Sequence, residues 1–273
     1  MTTIGFLHPG QMGVTIAANA KTNRVWAGTG RSPASAERAA SAGVTDVGDI
    51  AALCDASDIV ISICPPDAAV AVADQVEKTG YDRIYVDANA IAPATSKKIA
   101  AKFDSYIDGG VIGPPADTPG TTRMYLAGPG ADAVAAHWTG SALDVRALSD
   151  SADTAAASAL KMAYAGWTKG QSALLLAVNA LAESADVIDA LRAEWDLSQP
   201  GITERSTRMV PAVSRKAWRF AGEMEEIAAT MTEAGIPGDF HRGAAELYRR
   251  MAGFKEGPEP SLDQVLAAIL GDG

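Results

Sequence analysis

The stretch GFLHPGQMG, Gly5 to Gly13, decides how the amino-terminal half of the chain is read. It continues a short β-like run, TIGFL, and opens into MGVTIAANAKT, which has the spacing of a helix. A strand, a glycine turn and a helix in that order can aim backbone N–H groups at a diphosphate, with the positive helix end behind them. In the pattern G-x-G-x-x-G, the middle glycine admits the diphosphate to the backbone and the last lets helix and strand pack closely. Gly10 and Gly13 fill those two places, while His8 stands at the first, whose duty is the tight turn itself. The same nine residues also suit an ordinary turn between a strand and a helix.

Outward from this turn, β-like and helical stretches alternate. RVWAG, DIVISIC, RIYVDAN, SYIDGGVIG and RMYLAG read as strands. SPASAERAASAG, AAVAVADQVEKTG and APATSKKIAAKF read as helices, the first opened by Ser32 and Pro33 and closed by Gly43. DIVISIC is apolar along its length, as a parallel strand covered on both faces should be. The alternation predicts a doubly wound α/β sheet. After Ser151 the pattern turns helical, with one long helix from Asp153 to about Ser184, weakly interrupted at Gly166 and Gly170. Breaks follow at SQPG and IPGD, and a short amphipathic helix ends the chain. Residues 1–152 are therefore expected to form a dinucleotide-binding domain and 153–273 an all-helical one.

Of the 273 residues, 48% are hydrophobic and 21% charged, the balance of a globular protein. A net charge of −10 without any basic block argues against nucleic acid as a partner. No apolar run is long enough to span a bilayer, which argues against a membrane. The amino terminus lacks the features of a secretory signal, and two cysteines, Cys54 and Cys64, form no disulfide framework; both points fit a cytoplasmic location. Three scattered histidines make a metal site an unpromising reading.

Two further places carry chemistry. After the second expected strand comes GTGRSP, where an NAD site would put an acid on the ribose 2′-hydroxyl. Arg31 and Ser32 instead offer a cation and a hydroxyl suited to a 2′-phosphate, so NADP(H) is favoured over NAD(H); a solvated loop arginine is the alternative. Lys161 sits among small and apolar residues in AAASALKMAYAGW. Burial there would draw its pKa toward the range of a general acid/base, unless its head snorkels to water. Tyr164, three residues on, shares its helical face and reads as a substrate contact, an orienter of Lys161, or a core aromatic. Lys169 reads as a solvated side chain.

Taken in order, these pieces resemble the β-hydroxyacid dehydrogenase family, which includes 3-hydroxyisobutyrate dehydrogenases and, more distantly, 6-phosphogluconate dehydrogenase. GFLHPGQMG resembles the opening G-F-I-G-L-G-x-M-G, and GRSP the Asn-Arg-Ser/Thr segment that favours NADP. ICPPD and VDANAIAP resemble the loops near the nicotinamide. DGGVIGPPADTPGTTRMYLAG is similar to the substrate-side D-A-P-V-S-G-G and G-T-L-T-x-M-x-G-G. ALKMAYAG falls at the K-x-x-N-N segment, which puts Lys161 on the catalytic lysine.

The resemblance implies a Rossmann domain and a helical domain joined by one long helix, an active site between domains that close over it, and a homodimer or larger homo-oligomer. It implies that Gly10, Gln11, Met12 and Gly13 hold the pyrophosphate and that Cys64, Pro65 and Asn89 line the nicotinamide side. Lys161 and Tyr164 form the catalytic pair, and Ile112, Gly113 and Thr122 lie on the substrate side. The substrate half departs from the family. Ile112 replaces the serine of S-G-G, Tyr164 and Ala165 replace the two asparagines, Asn89 replaces a usual serine, and Gly222 falls at the lysine of K-D-L. A buried carboxylate would therefore lack two donors, for which Arg123, Arg219 or Lys216 are the available cations. The implied activity is hydride transfer between a nicotinamide cofactor and a small carbonyl or hydroxy compound. Imine reduction and a non-catalytic NADP-binding module are the alternatives.

Overall fold

Eight strands form one sheet: β1 Thr3–Phe6, β2 Asn23–Trp26, β3 Thr45–Asp46, β4 Ile59–Ser62, β5 Ile84–Asp87, β6 Tyr106–Ile112, β7 Arg123–Ala127 and β8 Asp144–Ser149. The computed structural model describes residues 1–8, 10–149 and 155–271. Around the sheet lie α1 Gln11–Asn19, α2 Pro33–Ser41, α3 Ile50–Ala56, α4 Ala69–Glu77, α5 Pro93–Ala100 and α6 Ala131–Ala135. The strand order is β3-β2-β1-β4-β5-β6-β7-β8. Strands β1 to β6 are all parallel, whereas β7 runs antiparallel to β6, with β8 parallel to β7. The first six strands thus have the doubly wound order, whose direction of growth reverses between β1 and β4.

Alternation along each strand feeds two cores. Ile59, Ile61 and Val86 join Phe6, Trp26 and Trp138 on one face, while Val60 and Tyr85 join Leu53, Val72 and Ile99 on the other. Strand β4 is buried throughout, as its unbroken apolar sequence requires. The sequence had not marked β3, α3, α6 or β8. Strand β3 has only two residues, and β8 is a half-exposed edge whose Asp144 and Arg146 pair with each other.

The chain divides into two compact units, 1–162 and 163–273. The boundary expected at residue 152 falls outside the described residues. Helix α7, Ala156–Ser184, is continuous through Gly166 and Gly170, and its residues up to Met162 belong to the first unit. The second unit continues with α8 Ile188–Ser198, α9 Ile202–Arg208, α10 Val210–Ser214, α11 Ala217–Glu233, α12 Asp239–Arg250 and α13 Leu262–Leu270. Within it, a Cβ on Gly166 would stand 3.3 Å from Ile227 and 3.4 Å from His241. The glycines of α7 therefore allow close packing and do not interrupt the helix. Ser198–Gly201 and Ile236–Gly238 separate helices as expected. No helix among the described residues is long and apolar enough to cross a membrane.

Candidate functional site

The glycine turn leaves the end of β1 and enters α1 beside the point where the sheet reverses. Gly10 caps α1 without any side-chain hydrogen bond. By contrast, Ser32, Asp49 and Ser261 accept from the first turns of α2, α3 and α13. The leading amides of α1, on Gln11, Met12 and Gly13, keep the partial positive charge of an uncapped helix start. Among the described residues, its chain neighbours aside, a Cβ on Gly10 would meet no atom within 4 Å, whereas one on Gly13 would lie 2.9 Å from the His8 carbonyl oxygen. Gly13 is therefore required by packing. Among the described residues nothing packs against Gly10, which leaves its side of the turn open to a ligand.

At the end of β2, Arg31 and Ser32 are both exposed. Ser32 Oγ accepts from Ser35 N–H at 3.3 Å and lies 3.1 Å from Ser35 Oγ. The Arg31 guanidinium meets His8 Nε2. Burial, then the Arg31 charge, hold the His8 pKa down to about 4. One acid lies nearby that the sequence did not reveal. Asp46, paired with Trp26 across the β2–β3 register, accepts N–H bonds from Gly28 at 3.1 Å and Gly48 at 2.9 Å.

The loops after β4 and β5 are tied together by Asn89. Its Oδ1 accepts Cys64 N–H at 2.6 Å, and its Nδ2 lies 3.0 Å from both Ser62 Oγ and Asp87 Oδ2. Asn89 is 2% exposed, so its amide holds the loops in place. Cys64 is half-buried, its thiol pushed up to about 11 by burial. Pro65 is exposed at the start of the following turn.

Under these loops lie two buried carboxylates, Asp87 and Asp108, which face each other in the β5–β6 register. Burial raises Asp87 to about 7, against the pull of Asn89's two donors. Burial likewise raises Asp108 to about 6, opposed by Ser158 and Ser96. Asp108 accepts Ser158 N–H at 2.8 Å, Ser158 O–H at 2.5 Å and Ser96 O–H at 2.9 Å. This clamp fastens the start of α7 to β6. Gly110 completes the seat, because a Cβ there would stand 2.7 Å from the Ala157 carbonyl oxygen and 3.2 Å from Lys161 Cβ. One turn beyond Ser158, half-buried Lys161 donates from Nζ to the Val111 carbonyl oxygen at 2.7 Å. The ammonium is thus fixed near the carboxyl end of β6. The sequence marks these aspartates only by an acid closing an apolar strand, as in IYVD.

The substrate-side candidates are held differently. Ile112 is buried and apolar. Gly113 has φ +129° and would press a Cβ to 2.4 Å from the Thr121 carbonyl oxygen. Thr122 is buried and donates its hydroxyl to the Pro114 carbonyl oxygen at 2.6 Å. A cavity of about 720 Å³ opens at the other edge of the sheet, between Ile84, Lys97, Phe103, Tyr106 and Pro129. It contains none of the expected site residues.

In the second unit, Tyr164 is 47% exposed and is therefore no core aromatic. Ala165 is buried. The expectation of a solvated Lys169 is overturned. Its side chain is 15% exposed, pairs with Glu223, itself 12% exposed, and lies 4.8 Å from the centre of the Phe220 ring. Desolvation of so mobile a cation is offset by a partner 54 residues away. Arg219 is exposed, its guanidinium 5.8 Å from the centre of the Phe220 ring, and partial desolvation draws its pKa down. Among the described residues no cluster of three His, Cys, Asp or Glu side chains is placed to hold a metal ion.

A helix start at the reversal point of a doubly wound sheet, reached through a glycine turn, is the place where proteins of this fold bind dinucleotides. Residues 3–136 match the family described as the NAD binding domain of 6-phosphogluconate dehydrogenase. Residues 182–251 match a domain of unknown function, DUF1932. Solved structures share the fold over nearly the whole chain. A conserved hypothetical protein from Sinorhizobium meliloti 1021 is 22% identical with a TM-score of 0.67, covering 98% of this chain and 96% of its own. Mycobacterium tuberculosis 3-hydroxyisobutyrate dehydrogenase with L-serine is 17% identical with a TM-score of 0.69, covering 98% and 99%. An Aspergillus terreus reductive aminase in complex with NADPH and ethyl levulinate is 17% identical with a TM-score of 0.54, covering both chains fully at 100%. No curated protein sequence matches.

Proposed function

We propose that the chain is an NADP(H)-dependent oxidoreductase acting on a small carbonyl or hydroxy compound, with Lys161 as the general acid/base. The observation that carries this reading is the seating of Lys161. A clamp of two hydrogen bonds between Ser158 and Asp108, and the bond from Nζ to Val111, hold its ammonium near the carboxyl end of β6. Ligands of doubly wound sheets bind outside the carboxyl ends of the strands. There Lys161 would give a proton to a carbonyl oxygen as that carbon is reduced, or take one from an alcohol in reverse. The bound nicotinamide would supply the hydride. Amides of Gln11, Met12 and Gly13 would hold the pyrophosphate beside Gly10, whose own N–H is donated to the His8 carbonyl oxygen at 2.8 Å, and Arg31 with Ser32 would hold the 2′-phosphate. Cys64 and Pro65 would border the nicotinamide on loops that buried Asn89 holds together, and Tyr164 would contact or orient the substrate.

Buried Ile112 favours a second reading for the same site. It offers no donor to a carboxylate, and an iminium substrate needs none. The similarity to a reductive aminase is consistent with that chemistry, as the similarity to 3-hydroxyisobutyrate dehydrogenase is with the first. NADPH consumption measured over keto acids, semialdehydes and cyclic imines tests both, with wild type beside Lys161→Ala. Turnover of carbonyl compounds that is lost in the variant supports the main reading. Turnover confined to imines supports the second. NADPH that binds and is never consumed by any compound overturns both in favour of a binding module.

A further inference from the structure

His8 replaces the one glycine of the turn pattern whose work is local, and its ring is not idle. Its Nε2 meets the guanidinium of Arg31, on the loop that follows the neighbouring strand β2. A guanidinium only donates, so Nε2 must accept. The single proton of a neutral imidazole then sits on Nδ1, which is buried and has no hydrogen-bond partner among the described residues. An orphaned buried donor is unfavourable until an acceptor arrives. Arg31 is therefore held by His8 at the mouth of the turn, with its remaining N–H groups available in the geometry that suits a phosphate. The opposing group is Asp46, whose carboxylate lies against Gly28 at the same end of β2. Its charge repels a 2′-phosphate and its oxygens suit ribose hydroxyls. A loosely held arginine would discriminate poorly against that background.

We propose that His8 is a specificity-determining residue: it positions Arg31 to read the 2′-phosphate and so makes the chain select NADPH over NADH. This rests on the dinucleotide reading proposed above. The test is titration calorimetry of NADPH and of NADH into the whole chain, for wild type, Arg31→Ala, His8→Gly, His8→Gln and the double variant His8→Gly/Arg31→Ala. Thermal melts alongside confirm folding. Arg31→Ala should weaken NADPH by roughly ten- to a hundredfold and leave NADH nearly unchanged, as for loss of a charge-assisted contact. His8→Gly should weaken NADPH by about tenfold, also without changing NADH. His8→Gln, which keeps an acceptor near the position of Nε2, should restore most of the preference. The double variant should be no worse than Arg31→Ala, because the histidine acts through the arginine. Equal losses for both cofactors, additive losses in the double variant, or an unchanged NADPH affinity in His8→Gly would overturn the assignment while leaving dinucleotide binding intact. If His8→Gly does not fold, His8→Gln and Arg31→Ala still decide, since a Gln variant without preference contradicts the acceptor role. Binding of neither cofactor by wild type would remove the dinucleotide reading itself, and this inference with it.

Discussion

The glycine turn and the β5–β6 shelf lie toward the carboxyl ends of the parallel strands of one sheet and treat their polar groups in opposite ways. At the turn, α1 begins without a side-chain cap, and among the described residues nothing packs against Gly10. At the shelf, Asp87, Asn89, Ser62, Asp108, Ser96 and Ser158 are buried and bonded to one another. The first region is built to be completed by something from outside. The second is complete already, and its product is position: it fixes the loop carrying Cys64 and the helix carrying Lys161.

The difference can be broken most forcefully at Lys161, the one group the shelf presents for chemistry. Lys161→Ala should lower turnover by at least about a hundredfold, the usual weight of a general acid, with NADPH affinity little changed. Steady-state kinetics and calorimetry on the same samples check both halves, and full turnover in the variant would refute the role. Next in size is the contrast between two glycines three residues apart. Gly10→Val should weaken NADPH binding by about tenfold or more through lost amide contacts, yet leave the melting temperature unchanged. Gly13→Ala should do the reverse, costing roughly 1–3 kcal/mol of stability because the His8 carbonyl must move. A Gly10 variant that melts early would show the turn to be structural after all.

The shelf also has a pH signature. Asp87 holds its proton to about pH 7 in the folded chain and Asp108 to about 6, while an unfolded aspartate releases it near 4. Across that window the native state binds more protons than the unfolded one, so stability falls as pH rises from about 4 to about 7 and levels off above. Urea unfolding at intervals between pH 5 and 8 should show the decline, and Asp87→Asn should flatten its upper part. A slope that the variant leaves untouched would mean Asp87 titrates normally. The smallest effect is expected for Ser158→Ala, which removes one of three donors to Asp108. It should cost about 1 kcal/mol and lower kcat more than it changes KM, since Lys161 is displaced without being lost. A change confined to KM would place Ser158 on the binding side instead.

How far these features could be read from the sequence follows from how local their causes are. The strand, turn and helix around Gly10 and Gly13 form one continuous segment, and their spacing alone marked them. Runs such as DIVISIC and RIYVDAN declared buried strands because burial on both faces leaves an unbroken apolar pattern. Strand β8 carries Asp144 and Arg146 on an edge and lacks the apolar run of a buried strand, whereas α3 does carry a local signal in its Asp49 cap. The shelf was illegible for a different reason. Asp108 and Ser158 are 50 residues apart, and Lys169 and Glu223 are 54 apart. No window of sequence contains both partners, so Lys169 read as a surface charge, and Asp108 as one motif letter. The contact between His8 and Arg31 likewise joins two adjacent strand ends that only the fold brings together.

The claim on which the rest depends is that the open turn takes up a nicotinamide dinucleotide. Calorimetric titration of NADPH and of NADH into the folded wild-type chain tests it directly. The account predicts saturable uptake at a single site, tighter for NADPH and weakened by Gly10→Val. Absence of uptake of both cofactors by the folded chain would contradict it.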